Sequence, residues 1–207
     1  MNKVSLDNTS GMKGLTFLLP TCLRNLIKSI YLRFKFLKNR IRYVKKGRFA
    51  YLGSHFRFNR KDPYYAYIGA RTHVEEFNIW DAQSGDIRVG ENCFFGLYNL
   101  VMGPVEIGDR VSTGPFARIL GPRHAVLGKG EGITVIGNNA WLSTGCIIHF
   151  GVKIGDNAVI APGSVVTKDV PENAYVAGNP ARNITELSNL KEFMRTRGKD
   201  TTPGQGR

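Results

Sequence analysis

IGNNAWLSTGCIIHFGVKIGDNAVIAPGSVVTKDV, residues 136–170, decides the fold. Ile136, Leu142, Ile148, Ile154, Ile160 and Val166 follow one another at a step of six, and every one of them is aliphatic. The same step runs upstream through Val89, Phe95, Val101, Ile107, Thr113 and Ile119, where only Thr113 is not large and apolar. Between the two runs, after Ile119, the register slips by one residue. A fainter turn precedes them at Ile68, Val74 and Trp80. Glycine often follows the aliphatic position, as at Gly90, Gly108, Gly137 and Gly155. Four residues after it the side chain is small or β-branched, as at Cys93, Ala117, Ala140, Cys146, Ala158 and Ser164.

A period of six fits neither an α-helix nor a simply alternating strand. It fits short strands joined by tight corners, where glycine or asparagine takes dihedrals that other residues avoid. Three such strands close one coil, and coils stack through backbone hydrogen bonds about 4.8 Å apart. The aliphatic residues then fill the interior as one column per face. The repeat predicts an all-β parallel solenoid of about five coils, with its handedness left open.

Working outward, residues 62–184 form the expected solenoid domain, residues 1–61 a basic N-terminal extension, and residues 185–207 a C-terminal helix or tail. The net charge of +13 sits almost wholly in the extension: residues 1–61 hold 15 Lys/Arg against one acid, Asp7, whereas residues 62–207 hold 14 against 15. From about Pro20 to Lys46, apolar residues recur at helical spacing (Leu23, Ile27, Ile30, Phe34, Leu37, Ile41), with Arg24, Lys28, Lys35 and Arg42 on the other face. Pro20 suits the first turn of this amphipathic helix and Gly47 its stop. Residues 48–67 are rich in aromatics and read as an irregular cover or a short strand pair. The helix has three readings: a cap on the solenoid's open end, a contact with an anionic membrane surface, or a nucleic-acid contact, which no recognition motif supports. The cap is the most economical; the charge density favours a membrane-adjacent position.

Residues 15–20, the clean apolar stretch near the N-terminus, are far short of the roughly 20 residues a spanning helix needs. No small-residue cleavage site precedes the next basic run, so a signal peptide is not expected. Cys22, Cys93 and Cys146 are too few and too scattered for a disulfide framework or a zinc cluster. They fit a reducing, cytoplasmic compartment, with the protein free or held at the inner face of the membrane.

The stretch from Ile136 to Ile184 also resembles the C-terminal signature of the hexapeptide-repeat acetyltransferases, the family of galactoside, maltose and polysaccharide O-acetyltransferases. The resemblance is close over residues 86–184 and absent over 1–60. It implies a left-handed parallel β-helix and a homotrimer with sites between neighbouring subunits. It implies acetyl-coenzyme A as co-substrate, no metal, and a hydroxyl of a sugar or surface glycan as acceptor. In the family a histidine ends a coil just before a loop leaves the solenoid; the matching residue is His124, in ILGPRHAVLGKGEGIT, and the register slip marks that loop. Thr144 and Pro162 match positions along the coenzyme groove, Thr167 and Lys168 in VVTKDV a coenzyme-binding pair, and Arg182 in AGNPAR a basic residue near the nucleotide phosphates. The chain departs from the family at Thr185, where sugar acetyltransferases carry a second basic residue, and near Gly96, Gly103 and Pro104, where the acceptor-binding Asn and Asp of the galactoside type are not kept. These departures leave the acceptor open.

Histidine suits the task because its unperturbed pKa, near 6.5, lets it accept a proton at neutral pH. Cys93 and Cys146 occupy inward repeat positions and read as core. His149 reads as an outward or corner residue, His55 and His73 as structural, and Trp141 as lining either the groove or a subunit contact. Three alternatives stay in view. One is N-acetylation of an amino sugar, or acetylation of an antibiotic, on the same scaffold. The second is a non-enzymatic solenoid that serves as a binding surface. The third is a zinc enzyme, which needs three convergent histidines; only His124 and His149 lie in the clear repeat.

Overall fold

Each turn of the expected solenoid is one coil of three short strands, and the fourth coil shows the pattern. Val105–Ile107 enters a first sheet, Ser112–Thr113 a second and Arg118–Ile119 a third. In this computed structural model, which describes residues 30, 43–61, 63–121 and 132–186, successive coils place their strands in parallel register. The first and third sheets have six strands each and the second has eight. We call these sheets A, B and C. The amide of each strand bonds the carbonyl one coil on, as in Trp141 N–H to Ala158 O at 2.9 Å and Phe94 N–H to Val111 O at 2.9 Å.

The interior confirms the six-residue reading position by position. Val89, Phe95, Val101, Ile107, Thr113 and Ile119 are all buried, as are Ile136, Leu142, Ile148, Ile154, Ile160 and Val166. The small residues four places on, including Cys93, Ala117, Ala140, Cys146 and Ser164, fill the corners from inside. Thr113, the one polar member of the series, is satisfied inside: its hydroxyl oxygen accepts from Asn99 Nδ2 at 2.6 Å. Glycine after the aliphatic position lets one corner press on the next. A Cβ on Gly114 would stand 2.6 Å from the amide nitrogen of Thr144.

The readable repeat accounts for about five turns, and the structure adds one before it. Val44–Lys46, Tyr51–Leu52 and Arg57–Arg60 pair with Ala66–Ile68, His73–Val74 and Ile79–Ala82 as a further coil. Residues 48–67, expected as an irregular cover or a short strand pair, therefore belong to the solenoid itself. Two residues hid the period: the exposed Lys46 stands at the position that Ile68 holds one coil on, and Phe56 fills an inward position that the next coil gives to Asn78. The expected helix over residues 20–46 lies outside the described residues apart from Ile30 and its end. There Tyr43 is helical, and Val44–Lys46 is already strand. After the last full coil, Tyr175–Gly178 extends sheet B, and Ala181–Asn183 turns back against it antiparallel.

Because the columns are filled side chain on side chain, removing one member leaves a void that neighbouring coils cannot collapse into. Leu142→Ala is expected to lower unfolding stability by about 2–5 kcal/mol, read as a fall in the denaturant midpoint, while Thr144→Ala on the exposed corner beside it changes little.

Candidate functional site

Three corners run the length of the solenoid, and two of them carry the residues picked out from the sequence. At the corner between sheets B and C the turn pairs stack directly: Glu76–Phe77, Leu97–Tyr98, Pro115–Phe116, Thr144–Gly145 and Pro162–Gly163. Single backbone bonds tie each pair to the next. Phe116 N–H donates to Leu97 O at 2.9 Å, Gly145 N–H to Pro115 O at 2.9 Å, and Gly163 N–H to Thr144 O at 2.9 Å. Thr144 and Pro162 are thus adjacent, one coil apart, and both are exposed. Gly145 and Gly163 hold φ of +67° and +66°, and among the described residues, their own chain neighbours aside, no atom stands within 4 Å of where a Cβ on either would be. The corner there is an open track of small side chains over bare backbone. A chain-like ligand could lie along it, and a Cβ at either glycine would obstruct it.

Thr167 and Lys168 lie elsewhere. They follow Val165–Val166 out of sheet C and sit at the corner between C and A, the width of one sheet away from Thr144. Both are exposed, and their neighbour Asp169 accepts from Lys153 N–H at 2.8 Å. His149 occupies the same corner one coil before. It is half-buried, its ring packs against Phe150 at 4.2 Å, and its amide donates to Val166 O at 2.9 Å. Arg182 stands on the antiparallel strand opposite Ala177, exposed, with Nη1 donating to its neighbour's carbonyl, Ala181 O, at 3.0 Å. The turn leading into that strand approaches Pro162 and Gly163, since Gly178 N–H donates to Ser164 Oγ at 3.2 Å. His124 lies outside the described residues, as does the rest of the stretch 122–131.

The structure therefore joins Thr144 to Pro162, sets Arg182 on the outermost strand of sheet B, and keeps Thr167 and Lys168 apart from all three. Trp141 projects from the outer face of sheet B, next in register to Ser112 and Val159. A hollow of about 550 Å³ lies on sheet A around Arg88, Glu106 and Val135, away from either corner.

Two features of the B/C corner were not legible in the sequence. Behind it, the buried side chains of Asn78 and Asn99 hold the turn from inside. Asn78 Nδ2 donates to Glu75 O at 3.0 Å and to Gly96 O at 2.8 Å, and Asn99 Oδ1 accepts from Ala117 N–H at 2.7 Å. At its head, Glu76 accepts the amides of His55 and Ser54, both at 2.8 Å, and these bonds hold its carboxyl down at about 2. Ser54 Oγ and Glu76 Oε2 both approach the same nitrogen of His55, Nδ1, at 3.1 and 3.0 Å. A proton relay needs the serine and the carboxylate on opposite ring nitrogens, so this cluster is structural.

Known proteins match the same stretch. Residues 133–168 match the family described as Bacterial transferase hexapeptide (six repeats), and residues 86–112 the family described as Hexapeptide repeat of succinyl-transferase. The galactoside O-acetyltransferase of Escherichia coli K12 is 37% identical over 134 residues, covering 60% of this chain and 65% of the relative. A chloramphenicol acetyltransferase of Agrobacterium fabrum is 51% identical over 53 residues, 26% of this chain and 25% of that one. The chain spans less than two thirds of the length of the first curated relatives it matches. Among solved structures, the Bacillus cereus N-acyltransferase AntD superposes with a TM-score of 0.59 at 16% identity, covering 79% of this chain and 95% of that one. It shares the fold.

Neither described cysteine is available as a nucleophile. Burial pushes the thiol of Cys93 up to about 11 and that of Cys146 up to about 12, and the thiolate is the reactive form. Iodoacetamide at pH 8 is expected to leave both unmodified in the folded protein and to label both after denaturation, read by peptide mass spectrometry. Rapid labelling of either in the native state would return it to consideration.

Proposed function

We propose that the chain is a hexapeptide-repeat acetyltransferase, as its family matches and its acetyltransferase relatives support, and that it moves an acetyl group from acetyl-coenzyme A to a hydroxyl of a sugar or surface glycan. The observation that carries this reading is the open track of Thr144, Gly145, Pro162 and Gly163, which lies within the 133–168 family match. It has the form of a seat for an extended, mostly apolar arm. Relatives named for different acceptors, a galactoside and chloramphenicol, match this chain. What those names share is the acetyl group, which supports the donor more firmly than any one acceptor. The galactoside relatives, at 37% and 34% identity, favour a sugar hydroxyl.

On this reading Thr144 and Pro162 flank the donor arm, and the positive charges of Lys168 and Arg182 serve its phosphates. One copy holds these groups on separate faces, and its B/C corner is a surface with a single wall. A second wall from a neighbouring copy closes the groove, so the working form is a homotrimer. His124 takes the proton from the acceptor hydroxyl as its oxygen attacks the thioester carbonyl. It then returns that proton to the departing sulfur when the carbon–sulfur bond breaks. Holding the two reactants together supplies much of the remaining acceleration. Residues 1–61 hold 15 Lys/Arg against one acid, nine of them before the first strand at Val44, and this excess supports a position against an anionic membrane on its cytoplasmic side, where lipid-linked glycans are presented.

Calorimetry is expected to show coenzyme A binding to the whole protein, and light scattering a particle three times the chain's mass; absence of heat at high protein concentration counts against the enzymatic reading. His124→Ala is expected to lower turnover by about a hundredfold or more, the range for losing a general base, with coenzyme affinity nearly unchanged. His149→Ala is the matched comparison and should cost far less. Retained activity in the first variant alongside loss in the second would transfer the role to His149.

A further inference from the structure

Left-handed backbone recurs at two corners of the solenoid, and the chain fills it differently at each. Between sheets A and B the position is held mostly by asparagine, at Asn92, Asn139, Asn157 and Asn173, with φ of 54–56°. Asparagine is among the side chains that tolerate this region best. Between sheets B and C the same conformation is held by Phe77, Tyr98 and Phe116, with φ of 60°, 59° and 61°. A bulky ring there is a backbone outlier, and outliers of this kind persist where the surroundings over-determine them. Here Asn78 and Asn99 hold the corner from inside. Outside, the rings stack on one another: Phe77 on Tyr98 at 4.8 Å and 6°, Tyr98 on Phe116 at 5.2 Å and 3°, with His55 on Phe77 at 4.6 Å.

The stack stops at Phe116. The next two rungs of the same corner are Gly145 and Gly163, in the same left-handed conformation, with nothing among the described residues beyond their chain neighbours within 4 Å of their missing Cβ positions. One face of the Phe116 ring is covered by Tyr98; among the described residues no ring covers the other, and Phe116 is 53% exposed. Rings fill this position down to Phe116, and open space fills it from there on. The last ring stands one coil before Thr144 and two before Pro162.

We propose that Phe116 is the end wall of the donor track and limits the acyl group to a short one. The inference rests on the preceding reading, that the donor arm lies along Thr144, Gly145, Pro162 and Gly163. An arm on that track, directed toward Phe116, meets the bare ring face one rung beyond Gly145. Rungs are about 4.8 Å apart, and a carbon packs on a ring at about 3.5–4.0 Å, so the gap takes a methyl group and little more. A longer acyl chain has to displace the ring, and behind it stands Tyr98. The glycines keep the track open, and the ring closes its end.

The test is calorimetry of the whole protein with coenzyme A, acetyl-coenzyme A and hexanoyl-coenzyme A. The wild type is expected to bind coenzyme A and acetyl-coenzyme A alike, and hexanoyl-coenzyme A at least about tenfold more weakly, the penalty for forcing methylenes into filled space. Phe116→Gly gives this rung the residue of the next two, which suits its φ. It is expected to bring hexanoyl-coenzyme A to within about threefold of acetyl-coenzyme A, with the particle mass unchanged. Gly145→Phe adds a rung at φ +67° and is expected to weaken acetyl-coenzyme A by about tenfold or more; the strain of a side chain at that φ is read separately as a lower melting temperature, with the particle mass unchanged. This second variant keeps the question decidable should Phe116→Gly fail to fold. Equal binding of both acyl forms by the wild type overturns the end wall, as does an unaltered preference in Phe116→Gly, the outcome expected if the ring face serves the acceptor. A changed particle mass in Phe116→Gly overturns it as well, by assigning the ring to a subunit contact. Coenzyme A binding with any of these results leaves the acetyltransferase reading standing; no coenzyme A binding brings down both.

Discussion

The amide of Ser112 donates to Ala140 O at 3.0 Å, and that of Trp141 to Ala158 O at 2.9 Å. Bonds of this kind, repeated coil on coil, pair backbone groups that a strand of two or three residues could not satisfy within itself. They also fix the distance between coils at about 4.8 Å. Every later feature inherits that spacing. Side chains at the same position of successive coils become neighbours although they are far apart in the chain, and the interior becomes columns of like residues: Val74, Phe95, Thr113, Leu142 and Ile160 behind sheet B.

The same constraint governs the corners. A coil that must return to the starting register needs a sharp turn at a set place, and the turns at two corners use the left-handed region. At the A/B corner the side chains bond along the column, as Arg110 Nε donates to Asn139 Oδ1 at 2.6 Å and Asn157 Nδ2 to Asn173 Oδ1 at 3.0 Å. At the B/C corner the inter-coil spacing falls near the distance at which aromatic rings stack, so rings placed there form a ladder without further adjustment. Stacking offsets part of the cost of the left-handed backbone, and the buried asparagines behind the turn supply the rest of the restraint. Where the ladder gives way to Gly145 and Gly163, the same geometry yields an open edge instead of a wall.

A solenoid distributes its surface residues by corner and sheet, and this sets the terms of the chemistry. Thr144 and Pro162 share one corner, Thr167, Lys168 and His149 another, and Arg182 stands on the final strand. On the proposed reading a groove between copies collects groups that one copy holds on different faces. The buried thiols of Cys93 and Cys146 serve the interior, where desolvation keeps them protonated.

The sequence by itself determined the architecture, because the six-residue step is a direct projection of the coil onto the chain. Each position from Val89 to Val166 that the step marks as inward is buried, and the slip after Ile119 falls between Arg118–Ile119 of one coil and Thr134–Ile136 of the next. Thr144 and Pro162 were legible as equivalent positions, since they too stand a whole number of repeats apart. The coil over residues 44–60 was not legible, because Lys46 stands where the next coil has Ile68 and Phe56 where it has Asn78, so neither the aliphatic nor the small positions of the period are kept. Nor was the aromatic ladder. Phe77, Tyr98 and Phe116 carry no local pattern, and their meeting depends on three turns adopting one left-handed conformation at one inter-coil spacing. Tertiary structure alone decided that the rings stack, that Asn78 and Asn99 brace them from within, and that the stack ends where two glycines leave the corner open. A contact between residues a coil apart exists only once the backbone ladder has set the distance between the coils.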